Sequence, residues 1–185
     1  MRKTFIIFSV LASMTSKGQA GKENKNAIGF ELDVLPYLTG GYYGSIWYGH
    51  NHMRYRAIVT KVETPEFILE DGFTNNKIQA YTFITDYFFK SNFEKWWIGA
   101  GLEYWKGQVQ TDAQVSTAEY NNTIFTIGGG YVWKFYKNFY LNPWAAAHIR
   151  IAGDTKVAVD NMEFEPSAIT PEISFKLGWY FRVGK

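Results

Sequence analysis

Near the C-terminus apolar residues take every second position: Ile173, Phe175, Leu177, Trp179, Phe181 and Val183 alternate with Glu172, Ser174, Lys176, Gly178 and Tyr180. A period of two puts the two sets on opposite faces of a strand, whereas a helical turn of 3.6 residues would mix them. Similar runs occupy residues 96–110, 122–135 and 139–152, with more mixed ones at 77–89 and 53–62. Residues 27–35 and 40–48 are strand-like but interrupted by Gly, and Pro36 is placed to end the first. The pattern predicts an all-β chain of eight strands.

From the second strand onward the connections alternate: short (49–52), long (63–76), short (90–95), long (111–121), very short (136–138) and long (153–167). Tight turns at one end and loops at the other are the asymmetry of an antiparallel up-and-down transmembrane barrel. An even strand number puts both chain ends on the short-turn side. The first connection, 36–39, departs from the rule, being short where a long one is expected.

Aromatics gather beside the short turns. Trp47 and Tyr48 flank the first, and Phe88, Phe89, Phe93, Trp96 and Trp97 the second. Phe135, Tyr136, Phe139 and Tyr140 flank the third, and Trp179, Tyr180 and Phe181 close the last strand. Amphipathic rings favour the headgroup zone, so this cluster reads as an aromatic girdle at one membrane interface. A less regular set toward the long loops, Tyr42, Tyr43, Tyr104, Trp105 and Tyr120, is the candidate outer girdle.

With the apolar parity facing outward, the other face carries Glu31, Asp33, Asp86, Glu103 and Glu172 with Arg54, Arg56, Lys134, Arg150 and Lys176. Thr82, Thr126, His148 and Ser174 join them. An Arg or Lys facing lipid at mid-depth costs about 2–4 kcal/mol, so the charges fix which face looks inward. Lys61 and Lys106 fall on the outward parity near strand ends, where a long stem reaches the interface.

The first twenty residues have a different character. Arg2 and Lys3 precede an apolar run from Phe5 to Ala12, and a polar stretch ends in Gly18-Gln19-Ala20. A basic start, a short apolar centre and a small-residue exit predict a secretory signal peptide over 1–20. A polar segment, 21–26, and a barrel domain, 27–185, follow. Removing Arg2, Lys3 and Lys17 from 19 basic residues leaves 16 against 17 acids, a formal −1 that gives no reason to expect nucleic-acid binding. The absence of Cys excludes a disulfide scaffold, a thiolate metal site and a cysteine nucleophile. No apolar run reaches the roughly 18 residues of a membrane helix.

On these features the chain resembles the small outer-membrane barrels grouped around OmpA, OmpX and OmpW, in a porin-like superfamily. The resemblance covers the signal peptide and residues 27–183. The last strand resembles that family's C-terminal assembly signal, an aromatic preceded by alternating apolar residues; here Phe181 follows Trp179, Leu177, Phe175 and Ile173. The departure is that Arg182-Val183-Gly184-Lys185 come after it. The resemblance implies a bacterial outer-membrane location, with the bilayer and the barrel-assembly machinery as partners. It leaves the role open, since such barrels serve adhesion, resistance, transport and lipid modification.

Candidate chemistry is sparse. His50-Asn51-His52 offers two imidazoles without further ligands nearby, and reads as a polar turn. Asp154 to Glu165 spans the length of a calcium loop, but Val159 stands where that loop needs Gly. His148, Ser174 and Glu172 share the inward face of the last two strands and form the best available triad, as in a lipid A-modifying enzyme. Gly99, Gly101 and Gly128 to Gly130 lie inside strands with no helix following, so curvature or room for bulky neighbours explains them better than phosphate binding. The expected role is non-catalytic and without cofactor, structural or surface-interacting, with a mostly closed charged lumen. The alternatives are a narrow channel for small or apolar solutes and a soluble lipocalin-like binder of inverse parity.

Overall fold

The computed structural model describes residues 26–183. The expected signal peptide, 1–20, and all of the polar segment except Asn26 lie outside the described residues. Eight long strands close into a barrel, each hydrogen-bonded antiparallel to its neighbours in space. In chain order the elements begin with β1 (Asn26–Asp33), a short helix α1 (Val34–Leu38), β2 (Tyr42–His50), β3 (Met53–Glu63) and a 3-10 turn at Glu66–Ile68. There follow β4 (Phe73–Phe88), β5 (Lys95–Thr111), β6 (Thr117–Tyr136) and β7 (Phe139–Gly153). A small hairpin, β8 (Val157–Val159) and β9 (Met162–Phe164), precedes the closing strand β10 (Ile169–Arg182). Closure is made by β1, which pairs β2 on one side and β10 on the other, Ala27 lying opposite Arg182.

The first connection explains its own brevity. Asp33 ends β1 and caps α1, its side chain accepting from the Leu35 N–H at 3.1 Å. The compact helical turn then does the work of a longer loop. The 111–121 connection is shorter than expected, because β5 and β6 run on past the apolar band and leave only 112–116 between them. The 153–167 loop, in turn, contains the β8–β9 hairpin.

The wall is apolar outside. Leu102, Phe175, Leu177 and Phe83 are exposed, while Arg56, Glu31 and Asp86 are 0% exposed. The barrel is also uneven in height: β1 to β3 have 8, 9 and 11 residues, whereas β4 to β7 have 16, 17, 20 and 15. On the tall side the parity rule inverts along a single strand. In β5 the outward residues are Trp96, Ile98, Leu102 and Tyr104, then Lys106, Gln108 and Gln110. From Trp96 to Tyr104 is about the length a tilted strand needs to cross a bilayer, on the order of 9–11 residues. Beyond it the inward side holds an apolar cluster, in which Phe73, Val109 and Tyr120 pack with Val159 and Phe164 of the hairpin, beside the buried Asn76, Thr111 and Asn122. The wall above the apolar band therefore packs like a water-soluble protein.

Candidate functional site

The bore of the barrel is divided. Toward the short turns it is filled by aromatic rings and two arginines. Arg54 and Arg56, two residues apart on β3, point the same way, and in register Arg54 faces Asp86 on β4. Arg54 Nε donates to Asp86 Oδ2 at 2.7 Å and its Nη1 to Glu31 Oε1 at 2.9 Å. Arg56 Nη2 donates to Asp86 Oδ1 at 2.9 Å, and its Nη1 lies 3.5 Å from Glu31 Oε2. Glu31 Oε1 also accepts from the Tyr140 hydroxyl at 3.0 Å and Asn142 Nδ2 at 2.9 Å. Tyr140 in turn accepts from Trp47 Nε1 at 2.8 Å, and Asn142 Oδ1 from Trp97 Nε1 at 2.9 Å. Charges removed from water are tolerable only when paired and hydrogen-bonded in this way.

The rings supply the rest of the solvation. The Arg54 guanidinium lies 4.9 Å from the Phe88 ring centre and 5.0 Å from that of Trp97. Arg56 lies 4.9 Å from Trp97 and 5.0 Å from Trp144, and Lys176 Nζ 4.3 Å from Trp144. Cation–π contact of this kind is worth about 2 kcal/mol or more when desolvated. Rings and cations thus form a continuous plug across the bore. Glycines opposite make room: a Cβ on Gly29 would overlap the Trp47 ring, and one on Gly178 the Tyr140 ring.

This corrects six girdle assignments, two of them Phe93 and Tyr180, which are buried in the same ring cluster. Trp47, Phe88, Trp97 and Tyr140 stand beside short turns, yet they lie on the inward parity and are 0–2% exposed. Nearness to a turn fixes height in the barrel, whereas parity fixes the face. Tyr48, Phe89, Trp96, Phe135, Tyr136, Phe139, Trp179 and Phe181 are exposed on the outer wall. In the second aromatic set Tyr42 and Tyr104 are exposed, but Tyr43 and Tyr120 are buried. Trp105 turns inward, its Nε1 donating to Glu103 Oε2 at 2.7 Å, so these three are not an outer girdle either.

Two lumen assignments move to the rims. Arg150 donates to the backbone oxygens of Asp154 and Pro166, both at 2.8 Å, and so braces the last loop rather than the lumen network. Lys134 sits at the short-turn mouth, 3.5 Å from Glu94 and over the Tyr180 ring. The remaining assignments, Glu31, Asp33, Arg54, Arg56, Asp86, Glu103, His148, Glu172 and Lys176, have inward side chains.

Toward the long loops the bore opens into a cavity of about 300 Å³. Trp144, Ile84 and Lys176 lie at its inner end, and Pro36 of α1 and Pro65 of the β3–β4 connection line its mouth. On one side Glu103, His148 and Glu172 form a chain. His148 Nδ1 lies 3.1 Å from Glu103 Oε1 and Nε2 lies 2.8 Å from Glu172 Oε2, an arrangement suited to a ring that donates from both nitrogens. Ser174 takes no part in it: its hydroxyl accepts from Lys176 Nζ at 2.6 Å. The His148–Ser174–Glu172 triad is therefore not assembled, because both imidazole nitrogens are already committed to carboxylates.

No family model and no curated protein matches the chain. Among solved structures, the crystal structure of Neisserial surface protein A (NspA) is similar at 12% sequence identity with a TM-score of 0.54. The likeness covers 85% of this chain and 97% of that one. The chain has the fold of a small outer-membrane β-barrel.

Around this barrel the remaining sequence candidates are local structure. His50 Nδ1 pairs with Asn26 Oδ1 at 2.6 Å and His52 Nδ1 with the Phe88 carbonyl at 2.7 Å. Among the described residues no cluster suits a metal ion. In the last loop Lys156 binds Glu163 at 2.6 Å and Glu165 at 2.8 Å, which holds the Glu165 carboxyl below its ordinary range. Asp160 is likewise lowered by hydrogen bonds from Thr111 and Ser116. The acids of this loop fasten the hairpin to itself and to β5.

Proposed function

We propose that the protein is an integral outer-membrane barrel of a bacterial envelope, exported by its N-terminal segment and inserted by the barrel-assembly machinery. Its role is non-catalytic, structural or surface-interacting, with a lumen closed to ion flow. The observation that carries this reading is the plug: Trp47, Trp97, Arg54, Arg56 and Tyr140 occupy the bore with 2% exposure or less. The interior of an eight-stranded barrel is just wide enough for side chains to fill, or to hold one small ligand, so large side chains at one height suffice to close it. The exposed apolar wall and the aromatics at its short-turn end support a membrane location, as does the likeness in fold to NspA. A soluble lipocalin-like barrel would carry the inverse parity.

Reconstitution in planar bilayers tests the closed lumen. The native protein is expected to give no unitary conductance steps; steady steps would favour the channel reading instead. Fractionation tests the location, with recovery in detergent-extracted outer membrane expected and recovery in the soluble periplasm counting against it.

A further inference from the structure

The cavity in the loop-side half of the bore has a chemistry unlike the plug below it. Its wall on β3 and β4 is mostly apolar, with Ile58, Val62, Ile78 and Ala80 among the lining residues. Four carboxylates also line it, Asp33, Glu63, Glu103 and Glu172; Glu63 is paired with Lys77 at 3.7 Å, which leaves three against two cationic groups, Lys176 and His148. In the plug, by contrast, Glu31 and Asp86 are matched by Arg54 and Arg56. The excess of negative charge therefore belongs to the cavity. Glu63, at 39% exposure, is taken up by Lys77; of the other three Glu172 keeps 31% exposure, Glu103 6% and Asp33 3%, so Glu172, approached by His148 at 2.8 Å and Lys176 at 3.5 Å, is the accessible member.

A second observation is independent of charge. Tyr43 also lines the cavity, and its side-chain hydroxyl is buried without a hydrogen-bond partner. A buried hydroxyl left unpaired is costly, and a ligand group reaching it would remove that cost. Trp105 adds aromatic surface, the Trp144 ring being engaged already by Arg56 and Lys176. Pockets of a few hundred cubic ångströms with an apolar lining and a few convergent polar groups suit small ligands. Carboxylates in a site of low dielectric constant select the sign of the charge, and indole faces favour a cation.

We propose that the loop-side half of the bore is a binding site for a compact organic ammonium ion with an apolar body, entering from the long-loop end. The apolar body lies against Ile78 and Ala80, and the cation lies toward Glu172. The plug forms the floor, so ligand is held and not passed on.

Three probes of nearly equal shape test this on the folded full chain in detergent: benzylammonium, benzyl alcohol and benzoate, titrated by calorimetry and tryptophan fluorescence. Benzylammonium is expected to bind at least tenfold more tightly than benzoate, with benzyl alcohol between. Thr82→Phe places a ring into the cavity from β4 and is expected to weaken benzylammonium at least tenfold while leaving the barrel folded, as read by the gel shift that a closed membrane barrel shows between unboiled and boiled samples. Glu172→Gln is expected to reduce the preference for benzylammonium over benzyl alcohol at least fivefold. If that variant does not fold, the charge preference is read from the three probes on the native chain. Equal affinity for all three, a preference for benzoate, no binding at millimolar concentration, or binding unchanged by Thr82→Phe would each overturn the proposal.

Discussion

The two halves of the bore obey the same parity rule and differ only in what stands on it. Along β4 the inward residues run Phe88, Asp86, Ile84, Thr82, Ala80, Ile78 from the short-turn end outward. Along β3 they run Arg54, Arg56, Ile58, Thr60, Val62. Large and charged groups give way to small and apolar ones within a few residues on both strands. The short-turn half is thereby filled, while the loop-side half retains about 300 Å³. Strand number sets the diameter, but side-chain volume decides whether that diameter is closed. The charges follow the same division, matched where solvent is excluded and unequal where it enters.

The sharpest break of this contrast is Glu31→Ala. It strands Arg54 and Arg56 with one carboxylate between them and removes the acceptor of Tyr140 and Asn142. A loss of about 3–5 kcal/mol is expected, read as a lowered urea midpoint for the heat-shifted band. Glu172→Ala on the cavity side is expected to cost clearly less, because that carboxylate is partly hydrated. Trp97→Ala, which removes a ring shared by both arginines, is expected to cost about 3–5 kcal/mol. Combined with Trp47→Ala it is expected to give conductance steps in planar bilayers where the native chain gives none.

Smaller effects sharpen the same boundary. Gly29→Ala forces a methyl into the Trp47 ring and is expected to cost about 1–3 kcal/mol. Thr82→Phe adds far more volume on the cavity side, yet is expected to change the unfolding free energy in urea by less than about 1 kcal/mol, since space is already there. The least effect belongs to the rim. The carboxyls of Glu165 and Asp160 have lowered folded-state values, so the stability they lend is present above the ordinary carboxylate range and fades as pH falls through the lowered values. Amide protection factors in the β8–β9 hairpin, with the intrinsic pH dependence of exchange divided out, are expected to fall on acidification while those of the barrel strands are unchanged. For the exposed Lys156 pairs, salt is expected to act in the same direction.

Parity was legible in the residues because a charge facing hydrocarbon is penalised at every position; hence Arg56, Glu103 and Phe175 fall on the expected faces. The plug was harder to see. Trp47, Phe88, Trp97 and Tyr140 share the inward parity with Ser45, Asp86, Glu103 and Asn142, a signal in plain view but outweighed by their nearness to turns. Hairpin β8–β9 escaped notice because three-residue strands hold too few positions for alternation to register. Extension of β5 and β6 past the bilayer escaped because the apolar face changes sides there, so one continuous strand reads as a strand followed by a loop.

Sequence alone determined that this chain is an antiparallel barrel with grease outside and ions within, because alternation is a local property that bilayer energetics reads residue by residue. Only the closed tertiary structure decided which ions meet which rings, and where the bore is filled or empty. Those contacts join strands far apart in the chain, as Glu31 with Asn142 and Asn142 with Trp97, and they depend on how eight faces converge on one axis. Convergence is a matter of volume summed over all strands at one height, and no single segment carries that sum.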